Sequence, residues 1–137
     1  MNGYVVVDAS IWVARLVAGD VFHEGCREWL EKQRSEGVTM LSPAFLLVEV
    51  AGAISRRASD PTLAKQAVSL LQQLPGVRLV ALNRDLVGTG ARLAADLGLR
   101  GADALYVAVA KRLQAPLATL DQEQKQRAAS LIAVQEI

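Results

Sequence analysis

Tyr4-Val5-Val6-Val7-Asp8-Ala9-Ser10 sets the architecture of this chain. Tyr4 to Val7 is a short β-branched run without polar alternation, so it reads as a strand buried on both faces rather than a surface strand. Strands of that kind belong to parallel sheets covered by helices on both sides. Asp8 is the exit of the strand, and Ser10 to Ala18 is apolar on most sides and stops at Gly19, so a helix follows almost at once.

The same alternation continues outward from this start. Asp20 can cap a second helix through Phe22, Cys26, Trp29 and Leu30 that ends at Gly37. Val38 to Leu41 is expected as a second strand. Ser42-Pro43 is expected to open a third helix with proline at its first position, where the missing N–H costs nothing. That helix carries Leu46, Leu47, Glu49, Val50 and Ile54 ahead of Arg56 and Arg57. Asp60-Pro61 opens another by the same device, with Leu63, Ala67, Leu70, Leu71 and Leu74 as its apolar stripe. Further expected elements are a strand over Val77 to Leu82, a helix over Asp85 to Leu97 stopped by Gly98, and a helix over Ala102 to Leu113 broken before Pro116. A strand over Leu117 to Leu120, a short polar helix over Gln122 to Ala129 and a strand over Leu131 to Val134 complete the chain. Strands separated by helices imply right-handed parallel crossovers and an α/β fold. No linker or internal repeat interrupts the pattern, so residues 1–137 are expected to form one domain.

Composition agrees. A chain of 137 residues buries roughly two thirds of its unfolded surface without staples. With 52% hydrophobic residues but only 4% aromatics, its core is Val, Leu, Ile and Ala, as suits a parallel sheet between helices. The net charge of +1 excludes binding of nucleic acid through a strong overall field, while leaving room for a local basic rim. Cys26 and His23 are each alone, so neither a thiolate zinc cluster, a multi-histidine metal site nor an intrachain disulfide is available. No uncharged run approaches the roughly 18 to 20 residues of a membrane helix, and no basic leader precedes the first strand. The expectation is a cytoplasmic protein with no membrane partner.

Four acids stand where apolar segments begin, end or break: Asp8, Glu49, Asp103 and Asp121. An ionised carboxylate withdrawn from water loses several kcal/mol unless it is paired, protonated or bound to a cation. Asp8 and Asp121 follow strands, at the carboxyl edge where open parallel sheets bind ligands. Asp103 is expected in the first turn of its helix and Glu49 about two turns into its own. Helix capping is the bland alternative for Asp8, Asp103 and Asp121. Glu49 has no capping role, and only a salt bridge, with Arg56 or Arg57, would excuse it. Should the four converge, oxygen-only ligands suit Mg²⁺ or Mn²⁺ and phosphodiester chemistry. Ser10 is a candidate to support the pocket. Trp12 and Trp29 are expected in the core rather than stacked on bases, and Arg56, Arg57, Arg84, Arg100, Lys111 and Arg112 are candidate phosphate contacts.

Four segments, Val5-Val6-Val7-Asp8-Ala9-Ser10, Leu46-Leu47-Val48-Glu49-Val50, Asp103-Ala104-Leu105-Tyr106-Val107-Ala108 and Ala118-Thr119-Leu120-Asp121, together resemble the PIN-domain family, especially the VapC-type toxins of toxin-antitoxin pairs. The resemblance spans almost the whole chain. It implies a three-layer α/β/α sandwich with a central, mainly parallel sheet and a metal-dependent endoribonuclease. It further implies Asp8 and Asp103 as direct Mg²⁺ ligands, Glu49 and Asp121 completing the catalytic acidic pocket, and Ser10 as its supporting hydroxyl. An RNA substrate, an inhibitory antitoxin and a homodimer are implied in the same way. The competing readings are a stand-alone nuclease of RNA maturation and a non-cleaving RNA- or protein-binding module. An aspartate-based phosphatase is disfavoured, because Ser10 stands where those enzymes carry a second Asp.

Overall fold

In the computed structural model, which describes residues 3–137, five parallel strands lie in the order β3-β2-β1-β4-β5. The central strand β1 (Tyr4–Val7) pairs with β2 (Thr39–Pro43) on one side and β4 (Leu117–Ala118) on the other. The outer strands are β3 (Val77–Val80), beside β2, and β5 (Val134–Gln135), beside β4. Val5, Val6 and Val7 are at most 1% exposed, as a strand covered on both faces must be.

Among the described residues, seven helices connect the strands: α1 (Ala9–Leu16), α2 (His23–Ser35), α3 (Leu46–Ala58), α4 (Pro61–Gln73), α5 (Arg84–Leu97), α6 (Gly101–Leu113) and α7 (Gln122–Ala128). The β1-to-β2 and β2-to-β3 crossovers run one way across the sheet and the β3-to-β4 crossover runs back. Right-handed crossovers therefore lay α1 to α4 over one face and α5 and α6 over the other. The packing agrees, with α1 against α2 and α3, α3 against α4, and α6 against α5, β1, β2 and β4. Helix α6 is the most deeply buried, its Ala104 and Tyr106 to Ala110 all fully buried. The expected α/β/α sandwich with a parallel sheet is the observed fold.

Several local expectations give way. Ser42 and Pro43 end β2 instead of opening a helix: Ser42 Oγ donates to Val7 O at 2.6 Å, tying β2 to β1, and α3 starts at Leu46. Proline is tolerated there because its register partner is Val80 at the last position of β3, and the next ladder bond comes from Ala44 N to Val80 O. The α4 stripe is rotated to Ala64, Ala67 and Leu71, leaving Leu63 and Leu70 exposed. The last strand lies at Val134–Gln135 rather than from Leu131, because Leu131 N and Ile132 N both donate to Ala128 O and hold the chain in the turn after α7. Asp20 does not cap α2 directly. It accepts from Phe22 N at 2.8 Å in a turn one residue short of the helix, whose N-cap is Phe22.

Strand order reverses direction between β1 and β4, since the chain leaves β1 toward β2 and leaves β4 toward β5. The crevice outside their carboxyl ends is where ligands bind in such sheets. Asp8 follows β1 and Thr119 to Asp121 follow β4, so the fold assembles a polar edge at that crevice.

Candidate acidic site at the sheet edge

Asp8 is only 5% exposed and is the N-cap of α1, its Oδ2 accepting from Ser10 N at 3.0 Å and from Thr119 Oγ1 at 3.1 Å. It fills the capping role and still occupies the crevice. Ser10 Oγ accepts from Leu120 N at 3.1 Å and lies 3.3 Å from Thr119 Oγ1, so the start of α1 is stitched to the end of β4.

Glu49 sits in the first turn of α3, not two turns in, because the helix begins later than the Ser42-Pro43 signal suggests. Its partner is neither Arg56 nor Arg57 but the buried Tyr106, whose hydroxyl donates to Glu49 Oε1 at 2.6 Å across 57 residues of sequence. Burial pushes the Glu49 carboxyl up, the Tyr106 hydrogen bond opposes that, and the fields of Asp8 and Asp103 push it further up. Tyr106 itself is held strongly in its neutral, proton-donating form, first by burial and then by Glu49.

Asp103 lies in the first turn of α6, as expected, and its side chain accepts no hydrogen bond among the described residues. Burial, then the charges of Asp8 and Asp121, push its carboxyl up from 3.8 to about 6, with Arg100 opposing weakly. Asp121 caps α7, accepting from Gln124 N at 3.1 Å. The buried Gln124 joins the halves of this edge. Its Oε1 accepts from Thr119 Oγ1 at 2.8 Å and its Nε2 donates to Asp103 O at 3.3 Å.

The four acids are thus coupled through their fields but not equally placed. Asp8, Ser10 and Glu49 line one open groove of about 520 Å³ together with Asp20, Arg56 and Arg57. Asp103 instead lines a separate small recess with Leu99, Arg100, Gln124 and Arg127. Among the described residues no group of three or more Asp, Glu, His or Cys is gathered tightly enough to enclose a metal ion. The donor chemistry nonetheless fits a hard divalent cation: the carboxylates are oxygen-only, partly desolvated and mutually repelling, and Mg²⁺ commonly uses one or two carboxylates while keeping several waters.

Sequence reasoning passed over Thr119, Gln124 and Tyr106. Tyr106 had a signal, being three residues after Asp103 on the same helix face. Thr119 did too, as the polar residue between Ala118 and Leu120 of an apolar strand. Gln124 had none, since a glutamine in a polar helix reads as solvated. Trp12 and Trp29 are core residues, 3% and 8% exposed, and His23 Nδ1 lies 3.0 Å from Ala14 O, a contact within the α1 to α2 connection.

This chain belongs to the PIN-domain family, whose pattern it matches over residues 5–130. No curated protein sequence matches it. Among solved structures it is similar to the VapC20 toxin of Mycobacterium tuberculosis, described as cleaving the sarcin-ricin loop, at TM-score 0.79 and 20% identity, covering 96% of this chain and 98% of that one. It is also similar to VapBC2 of Rickettsia felis, solved with a fragment of promoter DNA, at TM-score 0.69 and 14% identity over 97% and 98% of the two chains. A third likeness is to FitAcB of Neisseria gonorrhoeae, at TM-score 0.68 and 20% identity over 95% of each chain. At these identities the likeness is one of fold.

Proposed function

We propose that the chain is a single-domain, metal-dependent endoribonuclease, the toxin component of a toxin-antitoxin pair. The observation that carries the reading is the group of carboxylates Asp8, Glu49 and Asp103 at the reversal point of a PIN-family sheet, where burial and the neighbouring acids push Glu49 and Asp103 up. Acids that repel one another in this way are poorly compensated by protein cations, and a divalent cation supplies the missing charge.

Asp8 and Asp103 are the direct ligands in this reading, with Glu49 and Asp121 completing the pocket directly or through water, and Mg²⁺ the resident ion with Mn²⁺ as substitute. The chemistry such a cation supplies is Lewis acidity toward the phosphodiester and an attacking water. Ser10 N and Thr119 hold Asp8 by Oδ2 and leave Oδ1 without a protein partner among the described residues. Tyr106 holds Glu49 at the groove, where its raised basicity suits it to accept a proton from water. Ser10, bonded to Leu120 N, fixes the α1 start against β4 and so sets where Asp8 stands.

The antitoxin is supported by likeness to two-component assemblies, including a toxin-antitoxin complex of Klebsiella pneumoniae at TM-score 0.67 and 16% identity, covering 97% of this chain and 99% of that one. A homodimer and a cytoplasmic location complete the proposal, and no helix among the described residues is long and apolar enough to cross a membrane. The test is cleavage of a defined RNA by the purified chain with and without Mg²⁺. Fragments that vanish with EDTA and in a folded Asp103→Asn variant support the reading. Unchanged cleavage by that variant would remove Asp103 from the site.

A further inference from the structure

The groove that holds Asp8 and Glu49 is lined at its other end by two adjacent arginines that the structure treats differently. Arg57 Nη1 pairs with Asp20 Oδ2 at 2.9 Å, tying the end of α3 to the α1 to α2 connection. The pairing is reflected in Asp20, whose carboxyl is held below its usual range by the Phe22 N–H and by Arg57. Arg56 lines the same groove, is exposed, and has no ion pair or hydrogen bond among the described residues.

Helix geometry aligns Arg56 with the acids. Glu49, Gly52, Ala53 and Arg56 are spaced i, i+3, i+4 and i+7, one face of α3, and all four line the groove. Seven residues of helix separate the Arg56 and Glu49 backbones by about 10.5 Å along the axis, and no ion pair joins their side chains among the described residues. The face between them is nearly bare. A Cβ built on Gly52 would come within 3.2 Å of Arg56 Nη1, so the guanidinium lies back along the helix, over the glycine and toward the carboxylates. Alanine would be the better helix former at that position, and glycine there leaves room for the arginine.

A groove with acids at one end, an unpaired guanidinium at the other and small residues between suits a ligand with regularly spaced negative charges. We propose that Arg56 binds a backbone phosphate of single-stranded RNA, a neighbour of the phosphate at the acidic end, and that Gly52 permits the guanidinium posture this requires. The inference rests on the nuclease reading and extends it by dividing labour between the arginines: Arg56 contacts the substrate while Arg57 braces the fold. A planar guanidinium suits this task, since it forms paired bonds to phosphate oxygens.

The test is binding of a short fluorescently labelled single-stranded RNA, followed by anisotropy in EDTA over a series of salt concentrations, with KM and kcat measured in Mg²⁺. Arg56→Gln is expected to weaken binding roughly 3- to 10-fold at low salt and to reduce the salt slope by about 0.7, the value for one phosphate contact on a single strand. KM should rise while kcat stays within about twofold. Arg57→Gln is expected to lower Tm and leave the slope unchanged. Gly52→Ala should raise Tm or hold it, as alanine favours helix, yet weaken RNA binding, and it should add nothing further to Arg56→Gln. Wild-type binding with affinity and slope unaltered in Arg56→Gln overturns the Arg56 assignment alone. A wild type that neither binds nor cleaves RNA overturns it together with the nuclease reading.

Discussion

Asp103 shows what a half-buried acid among other acids costs the fold. Its carboxyl titrates near 6 in the folded chain against an ordinary 3.8, so between those values the folded state holds the proton more tightly than the unfolded state. Its contribution to stability is therefore greatest below about pH 4 and is lost as pH rises through about 6. In metal-free buffer, Asp103→Asn should be more stable than wild type at pH 7, by about 1–2 kcal/mol after allowance for solvent screening, and the gap should close toward pH 4. Urea unfolding at both pH values measures it, and a gap independent of pH would contradict the assigned cause. Tyr106 makes the complementary case. Tyr106→Phe removes the one hydrogen bond that opposes the upward push on Glu49, so the acid limb of the pH–rate profile should move to higher pH, with cleavage reduced roughly tenfold at neutral pH. An unmoved profile would mean that Glu49 does not exchange protons in the reaction.

Among the elements, the joint of β4, α6 and α7 matters most. Thr119 follows the two-residue strand β4 and has one proton to share between Asp8 Oδ2 and Gln124 Oε1, while its oxygen also accepts from Asp121 N at 3.1 Å. Thr119→Val keeps the shape but strands Gln124 Oε1 and Asp121 N and leaves Asp8 Oδ2 with Ser10 N alone, so a loss of roughly 2 kcal/mol is expected, with a Tm drop of several degrees. Thermal melts compared with Thr119→Ser, which retains the hydroxyl, separate the hydrogen bonds from the packing. The spans of α4, α5 and α6 followed closely from their own signals, including Asp60, which caps α4 through Thr62 N and Leu63 N at 3.1 Å each. The start of α3 did not. Ser42 and Pro43 carry a good local helix signal, but Ser42 Oγ finds a buried partner in Val7 O, and pairing with β3 keeps both residues extended. Leaving a buried hydroxyl or carbonyl unpaired costs about 1–3 kcal/mol, as much as or more than a capping preference of about 1 kcal/mol.

For the molecule as a whole, repelling acids on a fold with its own apolar core give a clear expectation for metal. The chain should stay folded in EDTA, since its core is built from Val, Leu, Ile and Ala on both faces of the sheet and needs no ion to close. Mg²⁺ should then raise Tm progressively above its dissociation constant, with about 2.7 kcal/mol gained at a hundredfold excess. Calorimetric scans of wild type and Asp8→Asn with increasing Mg²⁺ test this. An equal shift in the variant would put the cation elsewhere.

The strand-and-helix alternation, the parallel sheet and the four acids were all readable from the chain, because buried strands, caps and stops are local patterns written in neighbouring residues. The site depended on contacts between distant ones. Thr119 reaches Asp8 across 111 residues, Tyr106 reaches Glu49 across 57, and Arg57 reaches Asp20 across 37. No periodicity encodes such pairings, which follow from sheet order and from how far each helix is rotated against its neighbours. The same contacts leave Asp103 in a recess apart from the groove and distinguish Arg56 from Arg57, since hydrogen bonding and charge compensation act through space rather than along the sequence.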